Sequence, residues 1–381
     1  MERKLFKEEH GIFRDAFRKY LAKEVTPHLE QWEEDGIVPK AAWKKMGENG
    51  YLCPWLEEQY GGFGAGFEYA VIINEELAYI GASGLVLGLH SDIIVPYIYE
   101  FGNDEQKMRW LPGCVSGDIV TAVAMTEPFT GSDLAAIRAT AVRDGDEYVI
   151  NGSKTFISNG IHCDLCIVAV KTETKTDPPT RGVSLICVEA GTPGFNKGRK
   201  LRKMGLHSQD TAELSFEDCR VPAANLLGQE GHGFYYLMHQ LQGERLVVSI
   251  MAQAMAEAML EMTIRYCKER TVFGKRISAF QHNNFKIVDM ATEIELGRAF
   301  LDNLIESYIE KKDIVKEVSM AKAWICEMAN RVAYQCVQLH GGYGYMEEYP
   351  ICRFARDARA FPIFAGTSEV MKLIVGRMMG L

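Results

Sequence analysis

The sequence predicts an α+β protein with an N-terminal α-helical domain (residues 1–119), a middle antiparallel β-barrel or sandwich (120–230) and a C-terminal four-helix bundle (231–381). Three observations carry this prediction. Helical periodicity fills the first third of the chain. The middle changes to short runs rich in β-branched residues, separated by Gly, Pro, Asn and Asp turns. Long apolar stripes at helical spacing return after "NLLGQEGHG". At 381 residues the chain exceeds what one hydrophobic core ordinarily serves, and it has volume for a large cofactor.

The first element is a helix in "MERKLFKEEHGIFRDAFRKYL", where Leu5, Ile12, Phe13, Phe17 and Leu21 recur at helical spacing and mixed charge excludes a signal-peptide core. The loops "YGGFGAG" and "EFGNDEQ" punctuate the helices that follow. The glycines at 61, 62, 64 and 66 do not fit G-x-G-x-x-G and follow no apolar strand, so that stretch reads as a surface turn. Strands are expected in "DIVTAVAMT", "EYVINGSKTFIS", "DLCIVAVK", "GVSLICVEA" and "TAELSFEDCRV", with "KTETKTDPPTRG" as a polar hairpin loop. In the last part, Ile287, Met290, Ile294, Leu301, Leu304, Ile305 and Tyr308 form one stripe. Val318, Ala321, Ile325, Met328, Val332, Cys336 and Leu339 form another, and with two further helices they make the bundle.

Net charge is −9 and dispersed, which argues against nucleic acid or an anionic membrane surface as the main partner, so an anionic ligand must be held by local groups. The ten cysteines are scattered. Cys163 and Cys166 sit in a strand-like run whose alternation points them to opposite faces, and no second pair follows at metal-ligand spacing. They read as reduced, buried thiols of a cytosolic protein, with no metal site. No run approaches the roughly 18 apolar residues of a membrane span.

Within "LMHQLQGERLVVSIMAQ", helical steps from Glu244 reach Leu237, Leu241, Val248 and Met251, a face meant to be buried. A carboxylate there is paired with a cation such as Arg245 or Arg265, held protonated, or kept as a base of raised pKa; a shifted helical phase would instead leave it in solvent. Other segments offer ligand groups beside plainer local roles. "AMTEPFTGSD" supplies Thr126, Thr130, the Gly131 amide and Ser132 after a strand, suited to phosphate oxygens or a polar ring edge. "RTVFGKRISAFQ" sets Arg270, Phe273 and Gln281 at a helix–loop–helix junction, as ligand groups or as surface residues. "QLHGGYGY" closes a helix with paired glycines, and "FAGTSEV" starts the last helix at Thr367 and Ser368, with Glu369 behind them.

Taken in order, "MTEPxxGSD", "NGxKxFISNG", "KMGLHSQDTAELSFEDCRVP", "RxxFGxxxxxxQ", "QLHGGYGYxxEYP" and "GTSEV" resemble the acyl-CoA dehydrogenase family over essentially the full length, with "GERLVVS" closest to its long-chain-like branch. The resemblance implies FAD held non-covalently by the segment 123–132, including Val123, Met125, Thr126, Gly131 and Ser132, with Phe156, Ile157 and Ser158 over the flavin ring. Arg270, Phe273, Gln281, Gln338, Gly341 and Gly342 would reach the FAD of a neighbouring subunit in a homotetramer built as a dimer of dimers. Thr367 and Glu369 would serve its adenine and phosphate sides.

Ser132, Leu241, Arg245, Ala365 and Gly366 are the expected substrate contacts. Many members carry the catalytic base as Glu in "Y-E-G-T", where this chain has Ala365. In the long-chain and isovaleryl branches the base precedes an Arg-Leu pair, the place of Glu244. The implied reaction is removal of the α-proton of an acyl-CoA by Glu244 and of the β-hydride by flavin N5, giving a trans-2-enoyl-CoA, with electrons passed to electron-transferring flavoprotein. In relatives the thioester oxygen meets a flavin ribityl hydroxyl and the backbone amide at the position of Ala365. Phe129 and Thr130 replace the usual Gly-Ala, which would alter the loop beside the cofactor or narrow the thioester end of the pocket. The alternatives are an isovaleryl-, other branched- or cyclic-acyl-CoA dehydrogenase, an oxygen-using oxidase of the same family, or a non-catalytic acyl-CoA-binding flavoprotein. A bacterial cytoplasm is expected, although a processed mitochondrial chain would look similar.

Overall fold

The computed structural model describes residues 3–381. Six helices come first: α1 (Glu8–Glu24), α2 (Leu29–Asp35), α3 (Lys40–Glu48), α4 (Phe67–Tyr79), α5 (Val95–Phe101) and α6 (Asp104–Ser116). Seven strands follow: β1 (Thr121–Ala124), β2 (Thr140–Asp144), β3 (Glu147–Ser158), β4 (Leu165–Lys171), β5 (Val183–Glu189), β6 (Phe195–Lys200) and β7 (Thr211–Pro222). The chain ends in α7 (Gly233–Glu269), a hairpin of β8 (Thr271–Val272) and β9 (Lys275–Arg276), α8 (Gln281–Ile309), α9 (Val315–His340), α10 (Pro350–Ala358) and α11 (Ser368–Met378). The predicted order of helices, sheet and helices holds.

One expectation about the sheet does not hold throughout. β2–β3, β3–β7, β4–β5 and β6–β7 pair antiparallel, but β1 runs parallel to β4 from Thr121 opposite Leu165 to Ala124 opposite Val168. A hairpin, β2–β3, lies between them in sequence, so β4 enters in the direction of β1. β4 is buried on both faces, and it reads as a continuous apolar run because helices and sheet cover opposite sides. Cys163 precedes β4 rather than lying in it, so strand alternation does not reach it. Both Cys163 and Cys166 pack into one core with Ala122, Val168 and Leu214.

A second core joins all three parts of the chain. Tyr97 and Ile98 of α5, Trp110 and Leu111 of α6, Leu165 and Ile167 of β4, Leu185 of β5, and Leu237 and Val247 of α7 meet in it. Each such side chain, fully buried, contributes about 1.5–3 kcal/mol, which seats α7 against both the helices and the sheet. One stretch of α7 is long and apolar enough to cross a membrane, and most of it is buried within the protein. In α1 the predicted stripe slips at one position: Phe17 and Leu21 are buried, whereas Ile12 is 66% exposed.

An ion cluster ties the amino-terminal segment to α4 and α8. Glu75 of α4 accepts from Arg298 of α8 at 2.6 Å, from Arg14 of α1 at 2.9 Å and from Arg3 at 2.9 Å. Burial alone would raise the Glu75 pKa, but the charges of Arg298 and Arg3 outweigh it and hold the carboxyl at about 2.

Before α5 the helix opens into a π-helical turn, Leu89–Ile94. Pro96 lacks the N–H that would bond the carbonyl of Asp92, which gives the backbone a reason to widen there. One extra residue in a turn rotates every later side chain by about 100°.

Candidate active site

Four pieces of the fold meet around a cleft with about 1290 Å³ of atom-free space, part of it open to solvent. The sheet supplies one wall: Val123, Met125 and Thr126 at the end of β1, and Phe156, Ile157 and Ser158 at the end of β3. β3 bulges against β7 between Lys154 and Ile157, and Phe156 sits there at φ +60°, a strained conformation for an aromatic residue. The bulge holds its ring 68% exposed at the cleft. Behind this wall the buried Lys154 ammonium donates to the Met125 carbonyl at 3.0 Å and to Glu127 at 2.8 Å, pinning β1 to β3.

Helix α4 and the segment between α4 and α5 supply an aliphatic wall that includes Leu77, Ala78, Leu85, Leu87, Leu89 and Ile93. From α7 come Glu244, Val248, Met251 and Met255, and from the C-terminal segment Phe361, Phe364 and Ala365. Ala365 is held at φ +53° and Gly366 at φ +91°, and the fully buried Lys322 donates to the Gly366 carbonyl. The Ala365 amide donates to no described backbone carbonyl.

Glu244 is 4% exposed and is the one carboxyl group among the residues lining the cleft. The Tyr97 hydroxyl donates to its Oε1 at 2.8 Å. Burial raises the Glu244 pKa from 4.5 to about 7, against the opposing pull of the Tyr97 hydrogen bond and the Arg245 charge.

The expected ion pairs are not formed. Arg245 points to α9, where it donates to Ser319 at 3.4 Å, and Arg265 pairs with Glu261 at 3.3 Å on the surface. Nor is the helix greasy on one side only. From Gly243 to Ile250 every residue of α7 is buried, so the apolar face read from the spacing is only part of what surrounds Glu244.

Of the residues expected at a cofactor, Val123, Met125, Thr126, Phe156, Ile157 and Ser158 line the cleft, and of the substrate contacts Ala365 does. Gly131, Ser132, Leu241, Arg245 and Gly366 do not line it. Phe129 does not narrow it either: its ring is 79% exposed under the Arg138 guanidinium, 5.3 Å away, while Thr130 closes its own turn on the Asp133 carbonyl.

Arg270, Phe273, Gln281, Gln338, Gly341 and Gly342 also lie outside the cleft of this chain, on exposed surface. The structure does join the two segments that carry them, because the Arg270 guanidinium sits 5.7 Å from the Tyr343 ring. Phe273 is 95% exposed at the tip of the β8–β9 hairpin. Thr367 caps α11 by accepting from the Val370 amide at 3.3 Å, and the exposed Glu369 follows in the first turn.

The sequence reasoning missed Tyr97 and Asn74. Asn74 lines the cleft, donates to Asp92 at 2.7 Å and leaves no room for a side chain at Gly88, where a Cβ would stand 1.9 Å from its Oδ1. A polar residue among the apolar ones of α4 was a readable signal for Asn74. The π-helical turn hid Tyr97 by breaking the helical count.

The chain matches three family models in succession: the acyl-CoA dehydrogenase N-terminal domain over residues 7–118, the middle domain over 122–219 and the C-terminal domain over 231–380. It is 46% identical over 375 residues to the mitochondrial long-chain specific acyl-CoA dehydrogenase of Sus scrofa, covering 98% of this chain and 87% of that protein. To the mitochondrial isovaleryl-CoA dehydrogenase of Pongo abelii it is 37% identical, covering 97% and 88%. Its fold superposes on the crystal structure of an acyl-CoA dehydrogenase from Geobacillus kaustophilus with a TM-score of 0.99 and 59% identity, each chain covered in full.

Proposed function

This chain belongs to the acyl-CoA dehydrogenase family of FAD-dependent oxidoreductases, and from that premise we propose that it converts a fatty acyl-CoA thioester to the trans-2-enoyl-CoA with Glu244 as the base. One observation carries the assignment: among the described residues Glu244 supplies the only carboxyl group lining the cleft, and burial raises its pKa to about 7.

The sheet wall of the cleft suits a flavin. It combines aliphatic and aromatic surface from Val123, Met125, Phe156 and Ile157 with the hydroxyls of Thr126 and Ser158, which suit a polar ring edge. FAD, when bound, supplies the hydride acceptor.

The protein's own groups do the rest. Glu244 withdraws the α-proton, for which it must be ionised, so activity rises with pH through about 7. The Ala365 amide, which has no described backbone acceptor, is the proposed donor to the thioester oxygen as charge develops there. The aliphatic walls exclude water, which strengthens both effects. Leu77, Leu85, Leu89 and Ile93 offer surface for a long straight chain, in keeping with the long-chain relative. Electron-transferring flavoprotein is the proposed acceptor. A homotetramer is the proposed assembly, supported by the exposed Phe273, Phe285, Val288 and Leu296.

The test is anaerobic titration of the purified yellow holoprotein with a panel of acyl-CoAs. Long straight chains are expected to bleach the flavin. Bleaching by short branched acyls alone would move the substrate to the isovaleryl class, and no bleaching at all would reject dehydrogenation. Glu244→Gln is expected to keep its FAD and lose nearly all turnover; turnover near the parent level rejects Glu244 as the base.

A further inference from the structure

We infer that Tyr97 is a positioning residue for the reaction: delivered by the π-helical turn, its hydroxyl holds one oxygen of Glu244 and leaves the other for the substrate. The inference rests on Glu244 being the base. Tyr97 is fully buried and Glu244 nearly so, and their 2.8 Å bond joins side chains 147 positions apart in sequence. Oε1 is thereby engaged. A carboxylate held at one oxygen loses rotational freedom about its last bond, so the free oxygen keeps a fixed direction. Without the extra residue of the Leu89–Ile94 turn, Tyr97 would lie about 100° around its helix and miss Glu244. A wide turn of this kind is a costly local form, commonly retained at functional sites.

The neighbours leave Tyr97 as the one hydrogen-bonding partner of Glu244 among the described residues. Arg245, next along α7, is turned to Ser319 of α9 and acts only through its charge. Asp92 of the π-helical turn is held by Asn74 of α4. Tyr308 of α8 stands over Gly243, where a Cβ would meet its hydroxyl at 2.9 Å. Glu100 of α5 bonds Gln240, and its charge acts on Tyr97. The sheet residues on the cleft wall bring no titratable side chain. Because the hydroxyl bonds the charged form of Glu244, it pulls the carboxyl down against burial.

Removing the hydroxyl in Tyr97→Phe is therefore expected to shift the rising limb of kcat/KM against pH upward by about one to two pH units, with FAD retained. A readout apart from turnover is the Glu244 carboxyl band in pH-difference infrared spectra, assigned by its loss in Glu244→Gln; its midpoint should rise by the same amount. Tyr99→Phe, which removes a hydroxyl bonded to Glu57, should leave both where they are.

Should Tyr97→Phe fail to fold, difluorotyrosine at position 97 keeps the shape, donates more strongly and should move both midpoints down. An unmoved limb and band in Tyr97→Phe, or in the difluorotyrosine protein, overturns the inference. An active Glu244→Gln would instead overturn the assignment of the base.

Discussion

Glu244 carries a cost that its surroundings do not remove. Its carboxyl moves from 4.5 to about 7 because burial penalises the charged form more than Tyr97 and Arg245 favour it. The folded protein thus holds this proton more tightly than the unfolded chain does. The resulting contribution to stability is fully present below the ordinary value and is lost as pH rises through about 7. At pH 8 the buried carboxylate costs up to about 3 kcal/mol relative to a neutral group of the same shape. Glu244→Gln is expected to melt higher than the parent at pH 8 while matching it near pH 4, and equal melting temperatures at pH 8 would contradict this. The burial of Glu244 was legible in the sequence, because its apolar neighbours recur at helical spacing. Its partner was not, since the spacing pointed to Arg245 and Arg265, both of which turn elsewhere.

Elements show where local rules stop. Five of the seven strands announced themselves through β-branched runs and turn residues, while the short, polar β2 and β6 did not; those runs also carry no direction, and the parallel pairing of β1 with β4 followed only from where the intervening hairpin lay. The π-helical turn is invisible to a count by 3.6, although Pro96 gives it a cause. The β8–β9 hairpin exposes Phe273 at φ +49°, an uncommon backbone for an aromatic residue, at its tip. A strained, solvent-facing aromatic is consistent with a docked partner, and a second copy of this chain is the proposed one. Phe273→Ser is therefore expected to lower the mass found by sedimentation while leaving the helical circular dichroism unchanged; an unchanged mass removes the hairpin from the assembly.

For the molecule as a whole, the cluster of Arg3, Arg14, Glu75 and Arg298 ties the amino-terminal segment to α4 and the C-terminal helices. Glu75→Gln leaves three guanidinium groups short of a buried charge and is expected to destabilise the protein by about 3–5 kcal/mol at pH 7, read from denaturant unfolding. The Glu75 carboxyl lies at about 2, below its ordinary 4.5, so its contribution is present above 4.5 and fades as pH falls toward about 2. The gap between parent and variant should shrink from pH 7 to pH 3. A gap independent of pH would show that packing, not charge, holds this junction.

The sequence by itself determined the order of helices, sheet and helices, the burial of Glu244 and, through the order of its motifs, the family. These depend on periodicity and on short patterns, which residues near one another in the chain express. Tertiary structure alone decided which residues line the cleft together, that residues 243–250 of α7 are buried on every side, and that Tyr97 bonds Glu244. Such contacts join residues far apart in sequence, and their geometry depends on how packed elements rotate and cross, which no local spacing encodes.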